Sequence, residues 1–433
     1  MFSLSTAVIQ LPNLVNGFQD LTKVDEALGR FLNEVGHPAV HVEVVGADQS
    51  MGRVLGADIS ANCFIPQIDR SIMDGYAVRG LDVQNASETN PVELRIVGKS
   101  RIGRIYKQPL ETGQAVEVAT GSSIPPGADT VVRVEQTKRI PPSGVAILAP
   151  SEVGQSISRK GEDVKPGDVV LTKGRRIRPQ DIGLMKAIGT SRIRVVRKPR
   201  VGILSTGNEL TDMPRNTQKG KIVDINRTIL SRMVQELGGF AVDLGIVRDY
   251  ESEIMTVLRR GVKSCDAVMV IAGSSVGEKD LVSKCIARLG KPGVLVHGIA
   301  MRPAMPTGLA VVNSKPILSL PGFPISSIFA FRVFGRPLIA RLLGTEPMPD
   351  PTVKATLKER VTNSPGFRTF IRVMLTRTSE GLFAEPLKVQ RSSVTMSVVS
   401  ANGILTLNEE TPSLDVGQEV TVEVIGEILS RNL

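Results

Sequence analysis

Buried strands alternate with amphipathic helices between about Pro199 and Gly344, and this alternation limits the fold more than any other feature. Each strand is a short apolar run, and each helix carries apolar residues three or four positions apart. The clearest strands are RVGILST, which starts at Arg200, and DAVMVIA, which starts at Asp266. Apolar strands separated by helices are typical of a parallel sheet covered by helices. In such a sheet we expect ligands beyond the carboxyl ends of the strands.

Apolar residues at helical spacing also predict individual helices. In the helix after Arg227, the residues Ile229, Met233 and Leu237 fall in one row, which we expect to face the core. Thr22 is placed to cap the first helix, and Gly36 to end it. The predicted helices are Thr22 to Val35, Pro179 to Gly189, Arg227 to Leu237, Asp280 to Leu289 and a long helix from Ser326.

The stretches on both sides of the α/β part are predicted to be β-rich. From Ala61 to about Pro150, alternating valines are interrupted by many prolines and glycines, which is typical of short strands and turns. After Pro349 the pattern returns, with a hairpin that should turn near Glu380 and Gly381. We therefore expect a multidomain protein that combines α/β and β domains.

Composition excludes several classes of protein. Hydrophobic residues make up 41% and charged residues 22% of the 433 residues, which excludes wholesale disorder. No run approaches the ~18 apolar residues that a membrane span needs, and the N-terminus lacks the basic start of a signal peptide. The 3 cysteines form no CxxC pair and the 3 histidines are scattered, which disfavours disulfide, zinc and histidine sites. We expect a cytoplasmic protein without a membrane partner, whose metal chemistry uses oxygen ligands.

Basic residues are concentrated in one stretch. The net charge is +10, and residues 173–200 contain ten Lys and Arg but only one acid, Asp181. One hypothesis is nucleic-acid binding. The other is a solvated connecting region, or one that faces acidic substrates. Because no nucleic-acid module accompanies the stretch and aromatic residues are scarce, we favour the second hypothesis and expect no nucleic-acid partner.

Two loops that follow strands have the composition of a phosphate site. Ser205 to Glu209 follows one buried strand, and Ala272 to Gly277 follows another and opens a helix at about Asp280. Small residues let backbone N–H groups point at an anion, and a helix N-terminus adds a partial positive charge. Either loop alone could be an ordinary connection. Two in one sheet, each with an acid, favour a phosphate site.

Further loops carry candidate residues with alternative interpretations. Asn226 could be only a helix cap, Arg302 could lie in a rigid connection, and Asp74 could be the corner of a turn. The loop from Leu320 to Ser326 could be another anion cradle. Dispersed acids with Gly and Ser loops suit Mg²⁺-assisted chemistry on a phosphate ester, because Mg²⁺ prefers a few carboxylates plus substrate oxygens. The candidate acids are Asp74, Asp163, Glu209, Asp224 and Asp280.

Several longer motifs occur together and in one order. With them the chain resembles the molybdopterin molybdotransferase family, which includes MoeA and the gephyrin E domain, from about residue 20 to 425. The motifs are MGRVLGADI, IPQIDRSIMDGYAV, ATGSSIPPGADTVVRVEQT, KGEDVKPGDVV, RVGILSTGNEL, GKIVDINRTIL, IAGSSVGEKD, HGIAMRPAMPTGL, LSLPGFPISS and SANGILTL.

The resemblance implies four domains and a homodimer. A helical linker or dimerisation domain would comprise 18–60 and 155–192, with a small β domain, 61–154, inserted between its halves. A MogA-like three-layer α/β/α domain with a parallel sheet, 193–345, would bind molybdopterin. A C-terminal β-barrel, 346–433, would follow. The active site would be shared between the two subunits.

The implied reaction is a step of molybdenum cofactor biosynthesis. Molybdate or tungstate is inserted into adenylylated molybdopterin, and AMP is hydrolysed off with the help of Mg²⁺. A molybdopterin adenylyltransferase and molybdoenzymes are the implied partners. The implied catalytic residues are Asp74, Thr120, Asp163, Glu209, Asp224 and Asp280, of which Glu209, Asp224 and Asp280 would hold the metal. The implied binding residues are Thr206, Gly207, Gly273, Ser275, Gly277, Arg302, Ser326, Arg368, Arg372 and Ser392, with either Arg368 or Arg372 holding the oxyanion.

The chain departs from the usual family motifs at several positions. TGDEL has Asn208 in place of its Asp, KPGKP has Arg302 and Met305 in place of its two lysines, and PGNP has Phe323 in place of its Asn. GGxSxG begins with Ala272, and an arginine common before Arg368 is Phe367. These changes leave open an alternative function, that of a carrier or scaffold that binds molybdopterin or the oxyanion with little turnover.

Overall fold

The computed structural model describes residues 21–273 and 281–430. The chain forms two compact units, which we describe separately. One unit is Val42–Val195, and the other combines Met1–His41 with Val196–Leu433. No helix among the described residues is long and apolar enough to cross a membrane.

Helix α1 spans Val24–Val35 and belongs to the second unit. It begins after Lys23, which makes no side-chain cap, so the predicted cap at Thr22 is wrong by one position. Gly36 ends the helix with φ 64°, as the sequence predicts. Ala27 and Phe31 are buried on its apolar face.

The unit 42–195 consists mainly of β-structure, which the valine-rich sequence predicted for the part from Ala61 to about Pro150. A six-stranded sheet has the order β7-β4-β6-β5-β9-β8. Its elements are β1 Val42–Gly46, β2 Ile59–Ser60, β3 Arg70–Ser71, β4 Gly75–Val78, α2 Gly80–Val83, β5 Val92–Ser100, β6 Gln114–Val118, β7 Thr130–Arg133, β8 Thr137–Ile140, β9 Gly144–Ile147, β10 Ile157–Ser158, β11 Val169–Leu171, α3 Pro179–Ala187 and β12 Arg192–Val196. Met185 of α3 packs in a second core with Leu55, Ile177 and Ile193.

The α/β part of the other unit has a six-stranded sheet of order β16-β13-β17-β21-β20-β18. Helices α5 and α6 pack on one face, while α4, α7 and α1 contact strands from the other, which gives three α/β/α layers. Its elements are β13 Arg200–Thr206, β14 Leu210–Thr211, β15 Ile222–Val223, α4 Asn226–Glu236, β16 Phe240–Val247, α5 Glu251–Ser264, β17 Ala267–Ala272, α6 Leu281–Leu289, β18 Pro292–His297, β19 Met301–Arg302, β20 Gly308–Val312, β21 Lys315–Pro321, α7 Pro324–Ala330 and α8 Arg336–Leu343.

The sheet is mixed rather than wholly parallel, which corrects the sequence prediction. Strand β20 runs antiparallel to both β21 and β18. The cause is the two-residue turn Asn313-Ser314, where φ is 50° and 62°. Two successive left-handed residues form the tight turn of a hairpin, so β20 and β21 must run in opposite directions. The apolar runs alone did not reveal this turn.

Helix α4 buries a different row from the one predicted. Leu230 and Val234 are buried, whereas Ile229, Met233 and Leu237 are only half-buried. The last helix also begins earlier than Ser326, because Pro324 occupies its first turn. Its middle, Phe331–Gly335, is a π-helical segment that joins α7 to α8.

The C-terminal strands form a closed five-stranded barrel in which β24 pairs with both β25 and β26. The hairpin between β24 and β25 turns at Ser379 and Glu380, close to the predicted position. The elements are β22 Thr352–Leu357, β23 Val361–Thr362, β24 Arg368–Thr378, β25 Gly381–Pro386, α9 Met396–Ser400, β26 Gly403–Leu407, β27 Ser413–Leu414, β28 Glu419–Val424 and β29 Leu429–Ser430.

Candidate functional site

Three neighbouring strands of the α/β sheet end in register, and this common edge forms the candidate site. Thr206 at the end of β13 pairs with Ala272 at the end of β17, and Ala272 pairs with Pro321 at the end of β21. Each strand is followed at once by a glycine. Three glycine turns therefore meet at the carboxyl edge, where sheets of this type bind ligands.

The glycines allow the three turns to approach closely. A Cβ on Gly322 would lie 2.9 Å from Gly273 Cα and 3.2 Å from Ala272 O, so only glycine fits there. The Glu209 carboxylate folds back over Gly207, since a Cβ on Gly207 would meet Glu209 Oε1 at 2.8 Å. Oε1 also lies 3.5 Å from where a Cβ of Gly273 would be. Glu209 thus lies beside two of the turns.

A cavity of about 450 Å³ opens at this edge. Its volume falls in the range of small-molecule sites, about 300–1,000 Å³. Polar and glycine residues form part of its wall: Thr206, Glu209, Asp224, Asn226, Gly273 and Gly322. Apolar residues form another part: Leu210, Ile222, Ile225, Ile271, Phe323 and Pro324. The C-terminal part of the chain contributes Ser393 and Thr395.

Asp224 is already engaged by its neighbours. Its Oδ1 accepts hydrogen bonds from the first two amides of α4, Asn226 N at 3.1 Å and Arg227 N at 3.2 Å. Its Oδ2 accepts from Arg227 Nε at 2.9 Å. Burial alone would lower the pKa of Arg227, but Asp224, Asp243 and Asp212 raise it above its usual value. Asp224 therefore anchors the start of α4 within an ion-pair network.

Asn226 has one satisfied and one unsatisfied polar atom. Its Nδ2 donates to Gly322 O at 2.7 Å, which fixes the orientation of the amide. Its Oδ1 is buried and accepts no hydrogen bond from any residue that the structure describes. Sequence reasoning treated Asn226 only as a helix cap and missed this role in the wall of the cavity. The sequence signal for it was an asparagine two residues after Asp224.

The departure at Asn208 has a local explanation. Asn208 N donates to Asp249 Oδ2 at 3.3 Å, and Asp249 N donates to Asn208 Oδ1 at 3.3 Å. An aspartate at position 208 would place a second carboxylate beside that of Asp249. A neutral amide makes the same reciprocal bonds without like-charge repulsion.

The departures at Arg302 and Phe367 are coupled. The Arg302 guanidinium lies over the Phe367 ring, 4.5 Å from its centroid, and Arg302 Nη1 donates to Ser364 Oγ at 2.5 Å. Arginine stacks on an aromatic face better than lysine does. The two changes together form one packed pair beside the start of β24.

Arg368 and Arg372 differ sharply in their partners. Arg368 makes a two-pronged ion pair with Asp25 of α1, at 2.8 and 2.7 Å, and also contacts Glu409. Its hydrogen bond to Asp25 raises the pKa of Arg368. Arg372 is 0% exposed, and none of its three guanidinium nitrogens has a hydrogen-bond partner in the described part of the chain. Burial lowers the pKa of Arg372 to about 10, so it still carries its charge at neutral pH.

Arg372 faces helix α7. Phe370, two residues earlier on β24, stacks on Phe329 of α7 with ring centroids 5.2 Å apart. Residues two apart on a strand point to the same side. Arg372 also pairs with Ile404, which packs against the same helix. The unpaired guanidinium therefore belongs to the layer between the barrel and the helix that follows Gly322.

Asp74 and Thr120 lie together in the unit 42–195. Asp74 Oδ1 accepts from Thr120 N at 2.7 Å and from Thr120 Oγ1 at 2.9 Å. These bonds, the backbone one first, lower the pKa of the Asp74 carboxyl. Asp163 in the same unit is exposed, and only its backbone N makes a recorded bond, to Ile65 O.

The remaining candidates are placed as follows. Ser326 is buried in the first turn of α7, and Ser392 is half-buried next to Ser393, which is the serine that lines the cavity. Ser275, Gly277 and Asp280 lie outside the described residues. Within the described ranges, no group of three His, Cys, Asp or Glu could hold a metal ion.

Comparison with known families gives three matches in succession. Residues 22–189 match the MoeA N-terminal region, domains I and II. Residues 202–341 match a probable molybdopterin-binding domain, and residues 354–425 match the MoeA C-terminal region, domain IV.

Whole-chain relatives agree with these matches. The molybdopterin molybdenumtransferase of Bacillus subtilis (strain 168) is 32% identical over 407 residues, 93% of this chain and 94% of the relative. That of Staphylococcus aureus (strain COL) is 31% identical over 403 residues, 92% and 94% of the two chains. The crystal structure of the molybdopterin biosynthesis MoeA protein from Pyrococcus horikoshii OT3 is 32% identical, covers 93% of this chain and 100% of its own, and superimposes with a TM-score of 0.81.

Proposed function

Because this chain belongs to the MoeA family of molybdopterin molybdenumtransferases, we propose that it inserts molybdate or tungstate into adenylylated molybdopterin and releases AMP. This is a transferase reaction of molybdenum cofactor biosynthesis. The names of its relatives favour the enzyme over the alternative carrier or scaffold.

The observation that carries this proposal is the unpaired guanidinium of Arg372. A buried charge without a partner costs free energy, and folded proteins rarely retain one. A tetrahedral oxyanion supplies several acceptors to a guanidinium in charge-assisted hydrogen bonds. Arg368 is unsuited to this role because Asp25 and Glu409 already neutralise it. We assign the oxyanion to Arg372.

The carboxyl edge of the sheet with its three glycine turns, here called the glycine edge, would hold the phosphate end of the substrate. The turns at Gly207, Gly273 and Gly322 leave room for a ligand to approach the backbone closely. Arg227 pairs with Asp224 and fixes the start of α4 at the cavity wall.

The described residues fit Mg²⁺ through Glu209 rather than through all three predicted acids. Glu209 is exposed and pairs with no cation among the residues that the structure describes, whereas Asp224 is neutralised by Arg227. Mg²⁺ commonly uses one or two carboxylates plus substrate phosphates, so Glu209 together with the phosphoanhydride is a suitable set. Bound there, the ion would neutralise developing charge on the phosphate oxygens.

The active site is proposed to be shared between the subunits of a homodimer. Family resemblance assigns Asp74 and Thr120 to the partner's contribution, and here they form a preorganised pair with a carboxylate that stays ionised. We propose a molybdopterin adenylyltransferase as the source of the substrate and molybdoenzymes as acceptors of the product.

The direct test is AMP release from adenylylated molybdopterin with Mg²⁺ and either molybdate or tungstate. We expect release that depends on the oxyanion and that Arg372→Gln abolishes. Arg377→Gln changes an exposed arginine on the same strand, and it should behave as the unchanged protein does. No AMP release with either oxyanion would overturn the proposed function.

A further inference from the structure

Phe323 is an exposed aromatic residue in the wall of the cavity. It is 59% exposed, and neither an aromatic ring nor a cation stacks on it in the described part of the chain. Its backbone is held in place, because Ser327 N donates to Phe323 O at 3.0 Å and Pro324 fixes the first turn of α7. Exposed apolar residues that cluster at a cavity, as Phe323 does with Ile222 and Ile225, mark ligand-binding grooves.

The residues around Phe323 suit a flat ring with polar edges. Ile222 and Ile225 are also exposed and line the same cavity. Asn226, only 7% exposed, contributes an Oδ1 that has no donor within 21–273 and 281–430. Its amide cannot turn over without placing that oxygen against Gly322 O. The wall therefore combines an aromatic platform with a fixed, unsatisfied acceptor.

We propose that Phe323 stacks on a heteroaromatic ring of the substrate and that Asn226 Oδ1 accepts a hydrogen bond from an amine of that ring. Phe323 is thus a positioning residue particular to this chain, because the family motif usually has asparagine there. The inference rests on the proposed function, whose substrate carries two such rings, an adenine and a pterin. Each contains a flat pyrimidine ring that bears an exocyclic amine.

The first experiment measures the contribution of the ring to binding. The dissociation constants of AMP and ribose 5-phosphate are determined by calorimetry for the unchanged protein and for Phe323→Asn. If adenine is the stacked ring, Phe323→Asn raises the dissociation constant of AMP about tenfold. The dissociation constant of ribose 5-phosphate, which has no ring to stack, changes less than twofold. The matched control is Phe240→Asn, which changes an exposed phenylalanine at the start of β16, and it should leave both constants unchanged.

A parallel experiment with 6-hydroxymethylpterin distinguishes the two rings. If the pterin is the stacked ring, Phe323→Asn weakens pterin binding about tenfold while AMP binding is unchanged. The hydrogen bond from the exocyclic amine to Asn226 is tested with ligands that lack this amine. Purine riboside 5′-monophosphate, or the pterin analogue without its 2-amino group, should bind about tenfold more weakly than its parent, and Asn226→Ala should remove that difference.

The inference is overturned if Phe323→Asn changes the affinity for neither ring, or if the unchanged protein binds neither compound. These binding assays require no turnover. The two proposals can therefore fail separately. If Phe323→Asn releases AMP and binds AMP and the pterin as tightly as the unchanged protein does, the proposed function stands and this role of Phe323 is excluded. Melting temperatures of the variants show whether a loss of affinity reflects misfolding.

Discussion

Two arginines four residues apart on one strand illustrate how strongly the surroundings determine what a residue does. Arg368 is neutralised by Asp25 and Glu409 and ties α1 to the barrel. Arg372 is buried, and its guanidinium has no acceptor in the described part of the chain. Sequence alone could not separate them, because either one falls near the position of the family's oxyanion-holding arginine. Only the tertiary contacts show which charge is available to a ligand.

Arg372→Met is expected to stabilise the ligand-free protein. It removes an uncompensated buried charge, and the free energy of unfolding should rise by roughly 1–3 kcal/mol. The same variant should lose molybdate binding. Thermal or urea unfolding without oxyanion, together with calorimetry, measures both effects.

The pH dependence follows from the lowered pKa of Arg372, about 10 in the folded protein. Above pH 10 the folded protein holds this guanidinium without its proton, so the buried charge no longer destabilises the fold. The gain in free energy of unfolding from Arg372→Met should therefore shrink above pH 10. Arg368→Met is the matched control and should lower stability, because it leaves Glu409 without its cation. Equal destabilisation by both variants would contradict the assignment.

Thr120→Val is expected to raise the pKa of Asp74 toward its usual value. The variant removes the hydroxyl donor but keeps the stronger backbone bond, so part of the lowering remains. The pKa of Asp74 is lower in the folded protein than in the unfolded chain. The Asp74–Thr120 pair therefore stabilises the folded state at pH values above the pKa of the unfolded chain, and this stabilisation is lost as the pH falls through the pKa of the folded protein. Carboxyl NMR titration measures the change, and Thr112→Val should leave Asp74 unaffected.

At the scale of elements, the sequence located most strands and helices but not their directions or their buried faces. The apolar runs of β13 and β17 predicted buried strands correctly. The reversed β20 depends on the left-handed turn at Asn313 and Ser314, a conformation that its residue types do not require. In α4, Leu230 and Val234 are buried because of neighbouring strands and α7, which periodicity does not describe.

Gly322→Ala is expected to disrupt the glycine edge. The new Cβ would meet backbone atoms of Ala272 and Gly273, which cannot yield as a side chain would. Stability should fall by about 1–3 kcal/mol, and AMP release should fall with it. Gly29→Ala in α1, where no atom lies within 4 Å, should instead raise stability by about 0.5–1 kcal/mol. An unchanged melting temperature in Gly322→Ala would show that the turns can separate freely.

Ala304→Gly is expected to stabilise the connection between β19 and β20. Ala304 has φ 87°, a left-handed conformation that suits glycine, the residue usual in the family at this position. Relief of strain should raise the free energy of unfolding by about 0.5–1 kcal/mol. Ala310→Gly, within strand β20, should lower it by a similar amount. Chemical denaturation measures both changes. If Ala304→Gly and Ala310→Gly change the free energy of unfolding in the same direction, this interpretation is wrong.

For the molecule as a whole, motifs along the sequence identified the family, and the structure refines the site. The turns at Gly207 and Gly273 were predictable from their glycines, since composition alone marks a tight turn. The free carbonyl of Asn226 was not predictable, because it depends on contacts between segments distant in sequence. The proposed domain boundaries and the dimer remain predictions.

A shared active site should allow two inactive variants to rescue each other. Asp74→Asn and Glu209→Gln change residues in different compact units. When the two are mixed and reassembled, half of the dimers carry one intact site, so about a quarter of the AMP-release activity should return. Glu209→Gln mixed with Glu209→Ala should recover nothing. If each site is built from one subunit, the first mixture stays inactive as well.

The common end of three strands makes the site tolerant of apolar exchanges within those strands but intolerant of insertions and deletions there. Backbone pairing between the strands, rather than side-chain contacts, aligns Thr206, Ala272 and Pro321. One residue added to or removed from β17 would shift Gly273 by about 3.3 Å and turn the following residues to the opposite face. In descendants of this chain, length changes should therefore accumulate in distant loops, while these three strands keep their length even as their apolar residues exchange.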